Sequence, residues 1–283
     1  MAENKQAIKA RIKSINATMK ITSAMKLIAN AKLAKQRKAM EQNKEYASVL
    51  KETVQEIIST SPNTDNKYLE YKSSDQVLTI IFSSDLGLCG GYNINMMKLA
   101  QQNLVKSDPI ILIGTKQRPW LENRGYNIIN DSIGSDDITY LEMKKLIDTA
   151  INYYDSDDVS RIQVIYTEFV NTVTFEPRLI SIIPSDVDDS VVQSEDIAYV
   201  ETEFEPSADQ ILNYLIPMMI VNVTYSLWME TKTSEQGTRR IAMENATDNA
   251  QDLNDKLLLR YNKARQSAIT QEITEIVSGA DAT

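Results

Sequence analysis

Residues 8–33 read IKARIKSINATMKITSAMKLIANAKL, and a heptad repeat runs through them. Its positions follow one another at alternating steps of four and three residues, and most of them are apolar. They are Ile8, Ile12, Ile15, Met19, Thr22, Lys26, Ala29 and Leu33. Because neither glycine nor proline occurs between Lys5 and Ser59, we predict one helix of some 50 residues, roughly 75 Å long. A rod of that length cannot be buried within its own 283-residue chain, so it requires a second rod.

A second helical segment runs from Ser207 to about Val277, interrupted only by Pro217 and Gly237. Its predicted seam repeats the same spacing through Ala246, Ala250, Leu253, Leu257, Arg260, Ala264 and Ser267. We therefore predict a long antiparallel coiled coil of the N- and C-terminal helices. Pro217 is expected to kink the second helix or to start a new one. Two asparagines and this proline break the apolar stretch 211–228, which indicates a buried helix of a soluble protein rather than a membrane span.

The middle of the chain alternates predicted strands with predicted helices. The strands are expected at 76–82, 109–113, 162–169 and 172–183, and the helices at 93–105, 119–123 and 138–153. This alternation predicts a Rossmann-like α/β domain with a mostly parallel sheet. The turn cluster SPNTD at 61–65 marks a boundary. We thus predict an N-terminal helix over 1–60, a central α/β domain over 61–206 and a C-terminal helix over 207–283.

Composition excludes several classes of catalyst. The chain contains no histidine, which excludes Ser-His-Asp and Cys-His nucleophiles and most catalytic zinc sites within it. Cys89 is the one cysteine, so an internal disulfide and a multi-cysteine metal cluster are excluded too. The acidic stretches 155–158 and 185–195 lack the spacing and glycine of a calcium-binding EF-hand and are expected to be surface loops. We expect neither a metal nor a cofactor. The charged opening MAENKQAIKARIK does not indicate export.

A glycine-rich turn, SDLGLCGG at 84–91, follows the first predicted strand and precedes a helix. Phosphate-binding loops occupy this position in nucleotide-binding folds. The spacing matches neither G-x-G-x-x-G nor G-x-x-x-x-G-K-[ST], and no lysine follows to reach a phosphate. We therefore assign the turn a packing role, and expect Cys89 to be a buried thiol rather than a reactive one.

Charge is unevenly distributed along the chain. Residues 1–58 carry a net charge of +7, residues 59–206 carry −13 and residues 207–283 carry −3. A basic N-terminal rod suits a partner with an acidic surface, which can be a protein, a membrane or nucleic acid. Nucleic acid is disfavoured because the basic segment has one aromatic residue, Tyr46, and the acidic middle repels phosphates. A solvated lysine face explains the same charges.

Three segments resemble the gamma subunit of the F-type ATP synthase of bacteria, the central rotor shaft. They are the rod at 11–37, the turn SDLGLCGGYN at 84–93, and RRIAMENATDNAQDLNDKLLLRYNKARQSAITQEITEIVSG at 239–279. The resemblance implies a non-catalytic, peripheral protein at the cytoplasmic face of the cell membrane. It implies as partners three alpha and three beta subunits, the epsilon subunit and the ring of c subunits. Proton flow through the ring would turn the shaft and drive the beta subunits through ATP synthesis.

The resemblance also implies site residues. Contacts to the alpha and beta subunits fall at Met25, Lys26, Arg239, Gln266, Thr270 and Glu272. Phe204 and Glu205 fall where that family's α/β foot meets the c ring and epsilon. Lys26 departs from the family, which often has an acid there. Simpler interpretations are a coiled-coil core position for Met25 and a solvated charge for Arg239.

Two other classes of function explain parts of the pattern. A coiled-coil scaffold or adaptor accounts for the rods and the acidic α/β domain, and absence of stable association with a nucleotide-binding hexamer would favour it. A nucleotide-binding enzyme accounts for the strand, turn and helix around residue 84, and an intrinsic ATPase activity would favour it. The missing lysine and histidine argue against the enzyme.

Overall fold

The computed structural model describes residues 5–60, 66–68, 72–136, 138–184, 204–205 and 207–281. The turn at 61–65 and the acidic segment 185–195 lie outside the described residues. The elements, in chain order, are α1 (Lys5–Thr60), β1 (Val77–Phe82), α2 (Tyr92–Asn103), β2 (Pro109–Ile113), α3 (Arg118–Glu122), β3 (Asn127–Ile128), α4 (Tyr140–Asp155), β4 (Arg161–Phe169), β5 (Phe175–Ile183) and α5 (Ala208–Asp281). The predicted class, two long terminal helices with a central α/β sheet, is confirmed.

The sheet has five strands in the order β3-β2-β1-β4-β5. The first four are mutually parallel, and β5 pairs antiparallel with β4. The runs VLTIIF of β1 and PIILI of β2 are almost continuously apolar and are buried on both faces, as central parallel strands require. Sequence analysis missed β3, because two residues are too few to carry a strand pattern.

Helices cover both faces of the sheet. One face packs against α2 and α3, chiefly through Tyr92, Met96, Met97 and Leu121. The opposite face packs against α4 and against parts of α1 and α5, including Val54, Tyr154, Leu212 and Ile216. This second core is the larger one, and the apolar stretch 211–228 contributes seven buried residues to it.

The chain divides into two compact units. The helical unit contains residues 1–30 and 239–283, and the α/β unit contains residues 31–238. Both boundaries fall inside long helices, at different places from the predicted limits 1–60, 61–206 and 207–283. The predicted limits follow the ends of secondary-structure elements, whereas the two units are defined by compactness. The division into three domains therefore stays a prediction.

The helical unit pairs α1 with α5 in antiparallel fashion. The hydroxyl oxygens of Thr22 and Thr247 lie 2.7 Å apart, and Lys26 Nζ lies 2.8 Å from an Oε1 of Glu244. A higher residue number in α1 is paired with a lower residue number in α5, so the two helices are antiparallel. Every predicted seam position of α1 is buried or half-buried.

From Leu253 onward, every second predicted seam position of α5 was wrong. Leu253 is 43% exposed, whereas its neighbour Asn254 is 7% exposed. Arg260 and Ser267 are likewise exposed, while Tyr261 is half-buried. A heptad is satisfied by a step of three then four or of four then three, and the apolar Leu253 favoured the wrong order.

Pro217 neither ends α5 nor starts a new helix, since α5 runs through it as one element. By length and composition alone, α5 contains an 18-residue window apolar enough to cross a membrane, and half of that window is buried inside the structure. The burial of Leu212, Ile216 and Ile220 against the sheet accounts for its apolar character.

Candidate functional site

The two helices of the helical unit differ sharply in charge. The α1 segment 5–30 carries six basic residues and no acidic residue. The α5 segment 239–281 carries six basic and seven acidic residues. The helical unit therefore has one strongly basic side and one of mixed charge, and all of the implied alpha and beta contacts lie in this unit.

The positive charge of Lys26 is balanced by a carboxylate within the helical unit. Its ammonium group lies 2.8 Å from Glu244, and both side chains are 38% exposed. Arg240 approaches the other carboxylate oxygen of Glu244 at 3.3 Å. The hydrogen bond from Lys26 and its positive charge hold the pKa of Glu244 below its usual value. A basic residue at this position is thus balanced by α5 rather than by a partner alone.

Arg239 and Met25 are less accessible than surface contacts would be. Arg239 is only 7% exposed, so its interpretation as a solvated charge was wrong. Met25 is half-buried. Both lie at the level of the pair between Lys26 and Glu244, close to one another along the helical unit.

Gln266, Thr270 and Glu272 form a separate group near the end of α5. All three are exposed, and the hydroxyl of Thr270 donates to the carbonyl of Gln266 one turn earlier. They lie 27 to 33 residues beyond Arg239, a separation of about 40–50 Å along a helix. Exposed apolar side chains surround them, namely Ile269, Ile273, Ile276 and Val277. The implied contacts therefore form two levels rather than one site.

Phe204 and Glu205 precede α5 and differ in accessibility. Phe204 is half-buried and packs against the larger core of the α/β unit, while Glu205 is exposed. Of this pair, Glu205 is the more accessible to a partner.

Asp85, a residue of the glycine-rich turn, bonds the turn to two other loops. Its carboxylate accepts hydrogen bonds from the backbone N–H groups of Thr115 at 3.0 Å, Ser135 at 2.7 Å and Asp136 at 2.9 Å. Thr115 follows β2, and Ser135 and Asp136 precede α4. These contacts support the packing role that we predicted for the turn.

Within the turn, Gly90 has φ +58°, in the left-handed region that favours glycine. Cys89 is 2% exposed and lies 3.3 Å from the amide nitrogen of Asn93. The prediction of a buried thiol is confirmed. Among the described residues, no group of three or more cysteine, aspartate or glutamate side chains is arranged to hold a metal ion.

The α/β unit contains a buried ionic cluster that was not predicted from the sequence. Lys232 is 2% exposed and donates to Glu235 at 2.6 Å and to Asp136. Lys32 of α1 reaches the second oxygen of Asp136 at 3.3 Å. Burial alone would lower the pKa of Lys232, but the carboxylates of Glu235 and Asp136 outweigh it and raise that pKa. A lysine in a run of polar helical residues carries no sequence signal of burial.

The ion pair between Lys26 and Glu244 is expected to stabilise the helical unit only weakly, because both side chains are partly solvated. A double-mutant cycle of Lys26→Ala and Glu244→Ala, measured by urea unfolding at low and high salt, gives the pairwise energy. The pKa of Glu244 should rise toward its ordinary value in Lys26→Ala. An unchanged Glu244 titration would show that the pair does not form in solution.

Protonation of Glu230 is expected to make the free energy of unfolding depend on pH in mildly acidic solution. Burial raises its pKa, although the N–H of Phe169 and the charge of Lys44 oppose the effect. The folded protein therefore binds this proton at a higher pH than the unfolded chain does. The free energy of unfolding gains a contribution as the pH falls toward 4.5, the ordinary value, and keeps it below that pH. Urea unfolding of wild type and Glu230→Gln from about pH 7 to about pH 4 should give curves that diverge, whereas parallel curves would refute this assignment.

Comparison with known proteins extends over the whole chain. Residues 4–283 match the family model described as ATP synthase. The ATP synthase gamma chain of Alkaliphilus metalliredigens is 37% identical, over 100% of this chain and 99% of that protein. The sodium ion specific ATP synthase gamma chain of Acetobacterium woodii is 35% identical, again over 100% and 99%.

The fold is similar to a chain in the central stalk and c-ring structure of the Tetrahymena thermophila mitochondrial ATP synthase. The TM-score is 0.58 at 19% identity, and the match covers 80% of this chain and 99% of that one. At this identity the likeness supports the fold alone. The full-length agreement with the sequence relatives confirms the resemblance of the three segments: the chain belongs to the ATP synthase gamma-chain family.

Proposed function

We propose that this protein is the central rotor shaft of an F-type ATP synthase. It would couple ion flow through a membrane ring of c subunits to conformational cycling of catalytic beta subunits. The observation that carries the proposal is an antiparallel helix pair with one basic and one mixed-charge side, in a chain that matches gamma chains along its whole length. The shaft itself performs no chemistry.

A rotor needs faces that differ from one another in the interactions that they offer. A shaft surrounded by three identical catalytic subunits changes their states only if it interacts differently with each of them. The basic side of α1 supplies this difference, because it attracts an acidic surface on whichever subunit it faces. Exposed ion pairs contribute about 0–1 kcal/mol each, which allows them to form and break at every step.

The contacts are proposed at the two levels of the helical unit. Met25, Lys26 and Arg239 would face the alpha and beta subunits at one level, and Gln266, Thr270 and Glu272 at the other. The exposure of the second group supports its role as a direct contact. Burial makes Arg239 better suited to shaping the shaft surface than to binding a partner side chain.

The α/β unit is proposed to face the epsilon subunit and the c ring, with Phe204 and Glu205 on that side. The whole protein would then be peripheral, held at the cytoplasmic face of the cell membrane through its complex. The burial of the apolar stretch of α5 against the sheet supports attachment through partners rather than by insertion.

Purification of the tagged chain from gently solubilised membranes tests the proposal. We expect three alpha and three beta subunits per copy, ATPase activity in the complex and none in the chain alone. Recovery of the chain alone, or with unrelated proteins, would contradict the rotor function and favour a scaffold.

The contact residues are tested in the purified complex. Replacing Gln266, Thr270 and Glu272 together by alanine should slow ATP hydrolysis per assembled complex. The matched control replaces Gln251, Asp252 and Lys256, which are also exposed on α5 but belong to neither proposed level. Equal rates in the two triple variants would refute the second level.

A further inference from the structure

α5 contains a run of polar residues that is buried on every side. All residues from Thr231 to Gly237 are buried, and the side chains of Lys232, Glu235 and Gln236 are no more than 2% exposed. A helix on a protein surface buries one stripe, roughly three residues in seven. Seven consecutive buried positions, about two helical turns, mean that this part of α5 is enclosed by the α/β unit.

One side of the enclosure is the β4–β5 hairpin. Pairing of β4 with β1 ends at Ile165, and the strand continues beyond it. There the N–H of Thr167 donates to the hydroxyl oxygen of Thr231 at 3.2 Å, and the N–H of Phe169 donates to Glu230 at 3.0 Å. Side chains of α5 thus accept hydrogen bonds that a neighbouring strand would otherwise accept.

An aromatic ring of the hairpin also fills the space that a side chain at Gly237 would occupy. A Cβ at Gly237 would lie 2.3 Å from Cζ of Phe175, at the start of β5. The glycine is therefore a notch in α5 that receives the aromatic ring, and even alanine would force the ring to move.

The other side of the enclosure is the loop before α4. Trp228 Nε1 donates to the carbonyl of Ser135 at 3.2 Å, and Lys232 donates to the carboxylate of Asp136. Asp85, at the end of β1, in turn accepts the N–H groups of both loop residues. A chain of directional bonds therefore connects α5 through the loop to the centre of the sheet.

The loop and the hairpin contact different faces of α5. At about 100° per residue, Trp228 and Lys232, which meet the loop, fall about 40° apart around the helix axis. Glu230 and Gly237, which meet the hairpin, fall about 140–180° from them, and Thr231 lies between the two groups, about 60° from Trp228. The helix is thus held from more than one side.

We propose that the hairpin and the loop form a clasp that fixes the rotational position of α5 in the α/β unit, with Thr231 and Lys232 as its positioning residues. The inference rests on the proposed rotor function. The hydrophobic effect is non-directional, so burial of apolar surface does not by itself select one rotational position of a helix. Hydrogen bonds and ion pairs are lost when the helix turns by one residue, so they resist that rotation. The clasp is where torque passes between the α/β unit and α5.

Thr231→Val tests the clasp with the smallest change in shape. Thr233→Val is the matched control, because Thr233 is equally buried but its hydroxyl donates to the carbonyl of Met229 within α5. Each variant is assembled into the complete complex in membrane vesicles, where ATP hydrolysis and ATP-driven ion transport are measured together. We expect Thr231→Val to retain hydrolysis but to raise the share of ATP hydrolysed without ion transport about fivefold, because losing one buried hydrogen bond raises the population of slipped states by about that factor. Thr233→Val should transport as wild type does.

A second pair of variants covers failure of assembly. Replacing Lys232 by methionine together with Glu235 by leucine removes the ion pair to Asp136 without leaving Glu235 buried beside no ammonium group, and should likewise lower ions transported per ATP. Lys232→Arg, which keeps the charge, should preserve coupling. Wild-type coupling in both Thr231→Val and this double variant would overturn the clasp while leaving the rotor function intact. Absence of coupling or of hexamer association in the wild-type complex would instead refute the proposed function itself.

Discussion

Lys232→Ala should lower the free energy of unfolding by about 3–5 kcal/mol, the largest effect that we expect from a single charged residue here. The substitution leaves Glu235, whose side chain is 2% exposed, without the ammonium group 2.6 Å away. Asp136 loses a partner too, but its side chain is 32% exposed and water replaces part of the interaction. Urea unfolding of the full chain, followed by the fluorescence of Trp120 and Trp228, measures the difference.

Two further variants separate burial from charge. Lys256→Ala removes an exposed lysine of the same helix and should change stability by no more than about 0.5 kcal/mol. Replacing Lys232 by methionine and Glu235 by leucine together removes both charges and should cost much less than Lys232→Ala, because no buried charge is left uncompensated. A loss of less than about 1 kcal/mol in Lys232→Ala would contradict the buried ion pair.

Asp85→Ala should lower the free energy of unfolding by about 3 kcal/mol. The variant removes a charged acceptor from three backbone N–H groups, those of Thr115, Ser135 and Asp136. Each hydrogen bond to a charged group contributes about 1.5–3 kcal/mol, and hydration of the more exposed donors recovers part of the loss. Thermal or urea unfolding of the full chain tests this expectation.

Asp131→Ala is the control for this substitution, since Asp131 is exposed in the same part of the α/β unit. Asp85→Asn keeps one carbonyl oxygen as acceptor and should fall between wild type and alanine. Equal stability of Asp85→Ala and Asp131→Ala would mean that the turn does not depend on the carboxylate.

The two large predictions are linked through one loop. Asp85 holds the N–H groups of Ser135 and Asp136, and Asp136 holds Lys232 of α5. Residues that share a network have non-additive effects. The double variant of Asp85→Ala and Lys232→Ala should therefore cost less than the two losses added together. The turn that resembles a phosphate loop acts instead as the anchor of the clasp around α5.

Local patterns were sufficient to predict most of the fold. Each pattern that predicted an element extends over residues that are near neighbours in the chain. The patterns are the heptad positions of α1, the lack of glycine and proline along α1, and the apolar runs of β1 and β2. Periodicity of this kind follows from the geometry of a helix or strand, so it is visible in the sequence. The family was inferred separately, from the resemblance of three short segments to gamma subunits, and full-length relatives confirm it.

Choices between two locally equivalent solutions were not predictable. Leu253 and Asn254 both satisfy a heptad, and pairing with α1 buries the asparagine. The two residues of β3 form a strand only because the neighbouring β2 pairs with them. In each case a second segment, distant along the chain, makes the choice.

The sequence by itself therefore determined two long helices, a mostly parallel sheet between them, the basic character of α1 and the gamma-chain family. The tertiary structure alone decided that Lys232 is buried, that Asp85 accepts N–H groups of two other loops, and that Gly237 receives Phe175. The physical reason is the range of the interactions. Periodicity and helix propensity act between near neighbours, whereas enclosure of a polar helix turn depends on which distant segments surround it.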